Sequence, residues 1–342
     1  MFGRLMNNYY YGKSGKGDFR KEDMPENRWQ LFWDVLRTRL SGLCRLNLIY
    51  VVVWLPAMLV LLTNFLGGVS NLSTILAAQD GSLKQAVVEN AGDANAPAYS
   101  DEDIAKIAAL DAGGYVEAAL MRTLLLLIPC ILITGPCTAG VSYVVRNWAR
   151  DEHAFIWSDF KDAVKENWKQ GLAISAITSV LPALVYVAWR FYGQMAVRQP
   201  LMLVPQILVL MIGVVWAFSV TYFYPLLVSY ELKLKDVLRN GLLMGVARLP
   251  MSVGIRLLHC LPAVIGAALC YFWNPMYGAL LLMAYYLLIG FALSRFVTAS
   301  YTNAVFDRFL NPRIEGAKVN QGLRQPTEED EEDPEEPTDP ME

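Results

Sequence analysis

The hydrophobic positions of the chain are grouped into six long segments that are 17 to 30 residues in length. A helix needs about 20 consecutive apolar residues to cross the hydrocarbon core of a bilayer. Five of the segments contain no Asp, Glu, Lys, Arg or His, and the fifth segment contains Arg256 and His259. The pattern predicts an all-α integral membrane protein with a bundle of six transmembrane helices. The predicted spans are residues 46–66, 123–145, 171–188, 201–230, 251–273 and 277–293.

Composition and charge support this class and add a topology. Hydrophobic residues make up 55% of the 342 residues and charged residues only 18%, which excludes a soluble enzyme and a disordered chain. The net charge of −3 conceals a basic trunk, because the last sixteen residues hold ten carboxylates and no base. In the terminal segments and the loops, 23 Lys and Arg residues fall on one side of the predicted membrane and four on the other. By the positive-inside rule, both termini are predicted to be cytoplasmic.

The spans divide the chain into three predicted regions. Residues 1–45 form a cytoplasmic N-terminal segment, residues 46–300 the membrane domain, and residues 301–342 a cytoplasmic C-terminal segment whose acidic, Pro-rich tail is expected to be disordered. Residues 67–121 form a long extracellular loop. Within this loop, Ser100 followed by three acidic residues predicts a capped short helix that ends near Leu110.

Each cytoplasmic segment before an odd-numbered span has apolar residues at helical spacing and basic residues on the other faces. This pattern predicts interfacial helices that lie in the headgroup plane of the bilayer. The alternative is that these helices are extensions of the spans and pack on the bundle. The second segment is also a candidate surface for a partner protein, and its apolar residues are Trp157, Phe160, Val164 and Trp168.

The three amphipathic segments resemble one another in sequence, and each precedes a span that carries a Leu-Pro pair. Asp34-Val35-Leu36-Arg37 recurs as residues 236–239, and the Leu-Pro pairs end at Pro56, Pro182 and Pro262. The repetition predicts three helical hairpins in the same orientation, an arrangement that some transporters have. Short amphipathic patterns also recur by coincidence, and that alternative stays open.

Ionisable residues inside a membrane are the strongest indications of function. None of the six predicted spans contains Asp or Glu. Arg256 and His259 are three residues apart and therefore share one face of a helix. They either face a ligand or partner, or Arg256 extends to the interface while His259 bonds to a neighbouring helix. Asn47 and Asn64 in the first span are each expected to hydrogen-bond to a neighbour.

A second candidate position is the interruption of the second span at residues 135–140. Pro136 removes a backbone donor, and the small residues Gly135 and Gly140 allow a kink or a close approach of another helix. These positions are candidates for a hinge, and the alternative is a packing site between helices.

The sequence contains no constellation that is typical of an enzyme. The five cysteines form no Cys-x-x-Cys pair, and the two histidines are too few and too scattered for a metal site. We therefore expect no catalytic residues, no metal, no cofactor and no nucleic-acid partner, and we expect that the protein is not an enzyme.

The chain resembles the YesL-like family of bacterial membrane proteins. The resemblance is carried by Tyr11 with Gly15-Lys16-Gly17, the amphipathic stretch 32–39, the Gly-Pro interruption at 135–140, and Trp157 with Asp159-Phe160. It implies a multi-pass protein of the bacterial cytoplasmic membrane whose biochemical activity is unknown. Some members lie beside genes for sugar transport, which implies an accessory or scaffold protein that associates with sugar-transporter subunits. The alternative is a permease for a neutral solute such as a sugar.

Overall fold

A computed structural model describes residues 24–90 and 99–324. The predicted acidic tail and the Tyr11 and Gly15 positions lie outside these residues. Within them the secondary structure is helical, with no strand. The helices are α1 (Arg28–Gln79), α2 (Ser82–Glu89), α3 (Asp101–Ala108), α4 (Ala112–Leu132), α5 (Thr134–Ala149), α6 (Ile156–Ala196), α7 (Leu203–Ser229), α8 (Leu234–Ala247), α9 (Leu249–Phe272), α10 (Pro275–Tyr285) and α11 (Phe291–Phe309).

Within residues 24–90 and 99–324, six helical stretches are long and apolar enough to cross a membrane, which agrees with the predicted number. Consecutive stretches pack in pairs, α1 against α4, α6 against α7, and α9 against α10, as three helical hairpins require. A π turn at Tyr286–Gly290 joins α10 to α11 without a loop. The fold is therefore an all-α membrane bundle, and whether the hairpins are a true repeat stays a prediction.

The second span differs from its predicted bounds because the helix breaks at Ile133. α4 ends at Leu132, and residues 134–149 form the separate helix α5. Pro136 has no N–H to donate to the carbonyl of Leu132, and the Ser175 hydroxyl donates to that oxygen instead, at 2.7 Å. Most residues of α5 are buried, because it packs against α1, α6, α7 and α11. The predicted span 123–145 thus covers the second half of the apolar helix α4 and most of the buried helix α5.

Two of the predicted amphipathic segments are continuous with the following span. α1 has 52 residues and α6 has 41, which at 1.5 Å per residue correspond to about 78 Å and about 62 Å. Both exceed the bilayer core of about 30 Å. The segments therefore extend these helices, and among the described residues only the third segment forms a separate helix, α8.

The predicted loop 67–121 is largely helical in its described part. α1 continues through Gln79, and α2, α3 and the start of α4 follow it. The short helix predicted after Ser100 is confirmed, with a capping box in which the Ser100 side chain accepts from Asp103 N–H. In turn, the Ser100 hydroxyl and backbone N–H donate to the Asp103 carboxylate, and these hydrogen bonds lower the pKa of that carboxyl.

The beginning of α1 and the end of α11 meet at one end of the bundle, which we call the terminal end. There the Arg28 guanidinium pairs with the carboxylate of Asp307, which is almost fully buried. Asp307 also accepts hydrogen bonds from the Asn311 amide and from Asn320 N–H, the latter at 3.2 Å. The connection between α5 and α6 lies at the same end, because Arg150 there bonds to Gln321.

Candidate functional site

Two arginines and a histidine line one cavity inside the bundle. The cavity has a volume of about 270 Å³, and we call it the arginine cavity. Arg256 and His259 come from α9, and Arg295 comes from α11. The other lining residues come from α1, α7, the π turn and α11: Tyr50, Trp54, Thr221, Tyr286, Phe291, Ser294 and Thr298.

The π turn sets the orientation of the cavity-lining face of α11. Asn47 of α1 is fully buried, and its side-chain amide donates to the carbonyls of Tyr286 and Leu287 at 3.0 and 2.8 Å. Its side-chain oxygen accepts from Ala292 N–H at 2.9 Å. A π turn inserts one residue into a helix and so rotates the helical residues beyond the turn. The turn thereby places Ser294, Arg295 and Thr298 toward α9.

His259 connects the two helices that carry the basic residues. Its Nε2 lies 3.0 Å from the carbonyl oxygen of Ser294 and 3.3 Å from the hydroxyl of Thr298. These contacts anchor α9 to α11 in the register that brings Arg256 and Arg295 to the same cavity. The sequence-based expectation that Arg256 and His259 share a face agrees with this placement.

Several polar atoms of the cavity wall are buried without a hydrogen-bond partner in the part of the chain that the structure describes. They are Nε of Arg256, Nε1 of Trp54 and Oγ1 of Thr221. A buried polar group without a partner costs free energy, so such groups in a native protein require an explanation. Two of the three atoms are donors only, and their natural complement is an acceptor.

The charge of the cavity is positive and is not balanced by its own wall. No Asp or Glu is among the lining residues, and neither Arg256 nor Arg295 forms an ion pair with another described residue. The guanidinium of Arg295 instead lies over the ring of Tyr224, 5.5 Å from its centroid. Burying a charge without a counter-ion is costly. The arrangement can therefore stabilise an anion.

Arg256 also borders a second, larger cavity, which we call the apolar cavity. It has a volume of about 530 Å³ and lies between α4, α6, α7 and α9. Its wall is formed almost entirely by hydrocarbon and aromatic side chains, including Leu181, Pro182, Leu210 and Trp216. Arg256 is the residue that the two cavities have in common.

The candidate hinge residues do not line the arginine cavity. A Cβ atom at Gly135 would lie 2.2 Å from the backbone oxygen of Gly171, and one at Gly140 would lie 2.6 Å from Cγ2 of Val164. Gly135 and Pro136 therefore lie where α5 crosses α6 in close contact. Gly140 lies under Phe160 and Val164 of α6. At all three positions the close contacts with α6 are those of a packing site between helices.

The four apolar residues of the second amphipathic segment separate into two pairs. Phe160 is 7% exposed and packs with Val164 against α5. Trp157 is 62% exposed and Trp168 is 48% exposed. The segment is thus fixed to the bundle by one pair of residues and presents the other pair on its surface.

A polar cavity of about 360 Å³ at the terminal end has a different character. It is lined by both signs of charge, including Arg146, Arg150, Asp307 and Lys318. Asp307 is already paired with Arg28. Burial lowers the pKa of the Arg146 guanidinium, with a further contribution from the positive charge of Arg150. The Arg28–Asp307 pair thus joins the beginning of α1 to the end of α11. Because Asp307 also neutralises part of the charge, this site does not resemble the unbalanced arginine cavity.

Arg295 was missed by sequence analysis because the sixth span was predicted to end at residue 293. The helix in fact continues to Phe309, and small or apolar residues at positions 292, 296 and 299 are buried. That helical spacing was a usable signal. The signal was overlooked because Arg295 follows the apolar segment directly and was therefore assigned to the cytoplasmic C-terminal region.

The fold and the cavities define a multi-pass helical membrane protein with a basic cavity between its helices. Residues 115–189 match the family described as "Protein of unknown function, DUF624". The chain is also 28% identical over 167 residues to the "Uncharacterized protein YesV" of Bacillus subtilis (strain 168), covering 46% of this chain and 76% of that protein. No solved structure matches the chain. The matched family segment contains α5 and its crossing with α6, whereas Arg256, His259 and Arg295 lie outside it.

Proposed function

We propose that the protein is a non-enzymatic accessory or scaffold protein of the bacterial cytoplasmic membrane, with both termini in the cytoplasm. Its partners are subunits of a sugar transporter. The exposed Trp157 and Trp168, on a helix that packs against the bundle, support this proposal. Aromatic side chains that become buried on binding contribute much of the binding energy of protein interfaces. The resemblance to the YesL-like family supplies the class of partner, and the excess of Lys and Arg supports the orientation.

The partner is tested by gentle purification of the full chain from native membranes after crosslinking, followed by mass spectrometry. We expect permease or ATPase subunits of a sugar transporter in stoichiometric amount, and loss of these subunits in a Trp157→Ala, Trp168→Ala double variant. Trp273→Ala is the matched control, because Trp273 is 64% exposed but lies in the turn between α9 and α10. A chain that is recovered alone, or equal recovery with all variants, contradicts the proposal.

The orientation is tested by labelling single cysteines in intact cells with a membrane-impermeant maleimide, in a background without the native cysteines. Val88 in α2 and Phe155 before α6 are both highly exposed, at 68% and 66%. We expect that Val88→Cys is labelled and that Phe155→Cys is labelled only after the cells are opened. The reverse pattern places the termini outside.

The alternative function is a permease for a neutral small solute such as a sugar. The presence of a cavity with polar side chains next to a π turn supports it, because such turns are frequent at functional sites. Proteoliposomes that contain the protein should then take up a labelled sugar, and Thr221→Val in the cavity wall should reduce this uptake. Absence of uptake for every member of a panel of neutral mono- and disaccharides rejects this function.

A further inference from the structure

We propose that the arginine cavity binds the phosphate group of an anionic lipid whose acyl chain occupies the apolar cavity. This inference does not depend on the proposed accessory function, because it concerns the interior of the bundle and not the surface that carries Trp157. It rests on three independent observations, namely the unbalanced charge, the unpaired donors, and the shared boundary of the two cavities.

The charge of the site favours an anion over a neutral ligand. Two guanidinium groups line the arginine cavity, and its wall contains no carboxylate. The planar fork of arginine matches the oxygens of phosphate and carboxylate groups better than a lysine does. An anion between Arg256 and Arg295 would offset the repulsion between the two positive charges and the cost of the unpaired Arg256 Nε.

The donors that lack partners point to the same group. Nε of Arg256 and Nε1 of Trp54 are buried and have no acceptor in the described protein. A phosphate offers several acceptor oxygens and can satisfy more than one donor at once. The volume of about 270 Å³ leaves room for a phosphate group.

The apolar cavity makes the ligand a lipid. It is about twice as large as the arginine cavity, and its walls include Leu181, Pro182 and Trp216. Leu210 of this wall is 42% exposed on the surface of an apolar helix, so the cavity opens toward the surface that faces lipid. Arg256 stands at the boundary, where the head and the tail of an amphiphile join. A small free anion would leave the larger cavity unused.

The test uses the purified full chain in detergent and native mass spectrometry, with three probes: phosphatidic acid, phosphatidylcholine with the same acyl chains, and inorganic phosphate. We expect retained adducts of phosphatidic acid with wild type. The Arg256→Gln, Arg295→Gln double variant should bind it about tenfold more weakly or worse, since hydrogen bonds to charged groups are each worth at least that factor. Arg248→Gln, at the α8–α9 junction outside the arginine cavity, should bind like wild type.

A second variant separates a lipid from a free anion and does not alter the arginines. Ala217 lines the apolar cavity, and Ala217→Phe fills part of it. We expect weaker binding of phosphatidic acid to this variant, and a rise in the unfolding temperature of wild type with phosphatidic acid that phosphatidylcholine does not produce. The proposal is overturned if both lipids bind equally or if the double variant binds phosphatidic acid like wild type. It is also overturned if inorganic phosphate saturates the site and Ala217→Phe has no effect.

Discussion

The side-chain amide of Asn47 in α1 is inserted into the backbone of the π turn, with Nδ2 2.8 Å from the carbonyl oxygen of Leu287. The same side chain accepts a hydrogen bond from Ala292 N–H. A π turn interrupts the regular hydrogen-bond ladder of a helix, and side-chain insertion is a recognised cause of such distortions. In an apolar bundle, Asn47 therefore supplies the partners that water would supply elsewhere. It couples the first span to the helix that carries Arg295.

Replacing Asn47 tests this coupling. Asn47→Leu keeps a similar volume but removes the side-chain partner of two carbonyls of the π turn and of the Ala292 N–H in α11. We expect a loss of about 1–3 kcal/mol for each group that stays unsatisfied, measured as a lower midpoint of unfolding in detergent. Asn64→Leu is the control, because the Asn64 amide donates within its own helix, to Val60, and accepts from Arg122 on the partly exposed surface. Equal effects of the two substitutions contradict the role given to Asn47.

Gly135 tests the contact between α5 and α6. A Cβ atom there would lie 2.2 Å from a backbone oxygen, which cannot move without shifting α6. We expect Gly135→Ala to lower stability by about 1–3 kcal/mol, the usual cost of overpacking, or to prevent folding. Gly254→Ala in α9 is the matched control, because nothing lies within 4 Å of its added Cβ. A stable Gly135→Ala protein with an unchanged unfolding midpoint contradicts the packing role and favours a flexible hinge.

Two arginine–carboxylate pairs allow a comparison of buried and exposed electrostatics. The carboxylate of Asp307 is 6% exposed in its pair with Arg28, whereas Glu117 is 44% exposed in its pair with Arg190 at 2.5 Å. We expect Asp307→Asn to cost about 1–3 kcal/mol, less than a fully buried pair because the Arg28 side chain is 27% exposed. Glu117→Gln should cost about 0–1 kcal/mol. Unfolding midpoints at low and high salt measure both changes, and salt should weaken the second pair more. A larger loss from Glu117→Gln than from Asp307→Asn would refute this ranking.

The sequence by itself determined the class of the protein and its six apolar helices. A membrane span must satisfy its own backbone hydrogen bonds and present apolar side chains to lipid, so its signal is local and continuous. The cap at Ser100 is equally local and was predicted correctly. The presence of Arg256 and His259 on one helical face also follows from spacing within a single helix.

Tertiary structure decided which of these residues meet. Arg295 reaches the cavity that Arg256 lines because His259 of α9 contacts Ser294 and Thr298 of α11. The π turn before α11 is bonded by Asn47, which is more than 200 residues away in the sequence. In the same way, the Leu132 carbonyl at the helix break accepts a hydrogen bond from Ser175 of another helix. Phe160 is buried against Gly140 of α5, whereas Trp157 is exposed. These features are contacts between distant segments, and hydrophobic periodicity within one segment carries no information about the segment that lies opposite it.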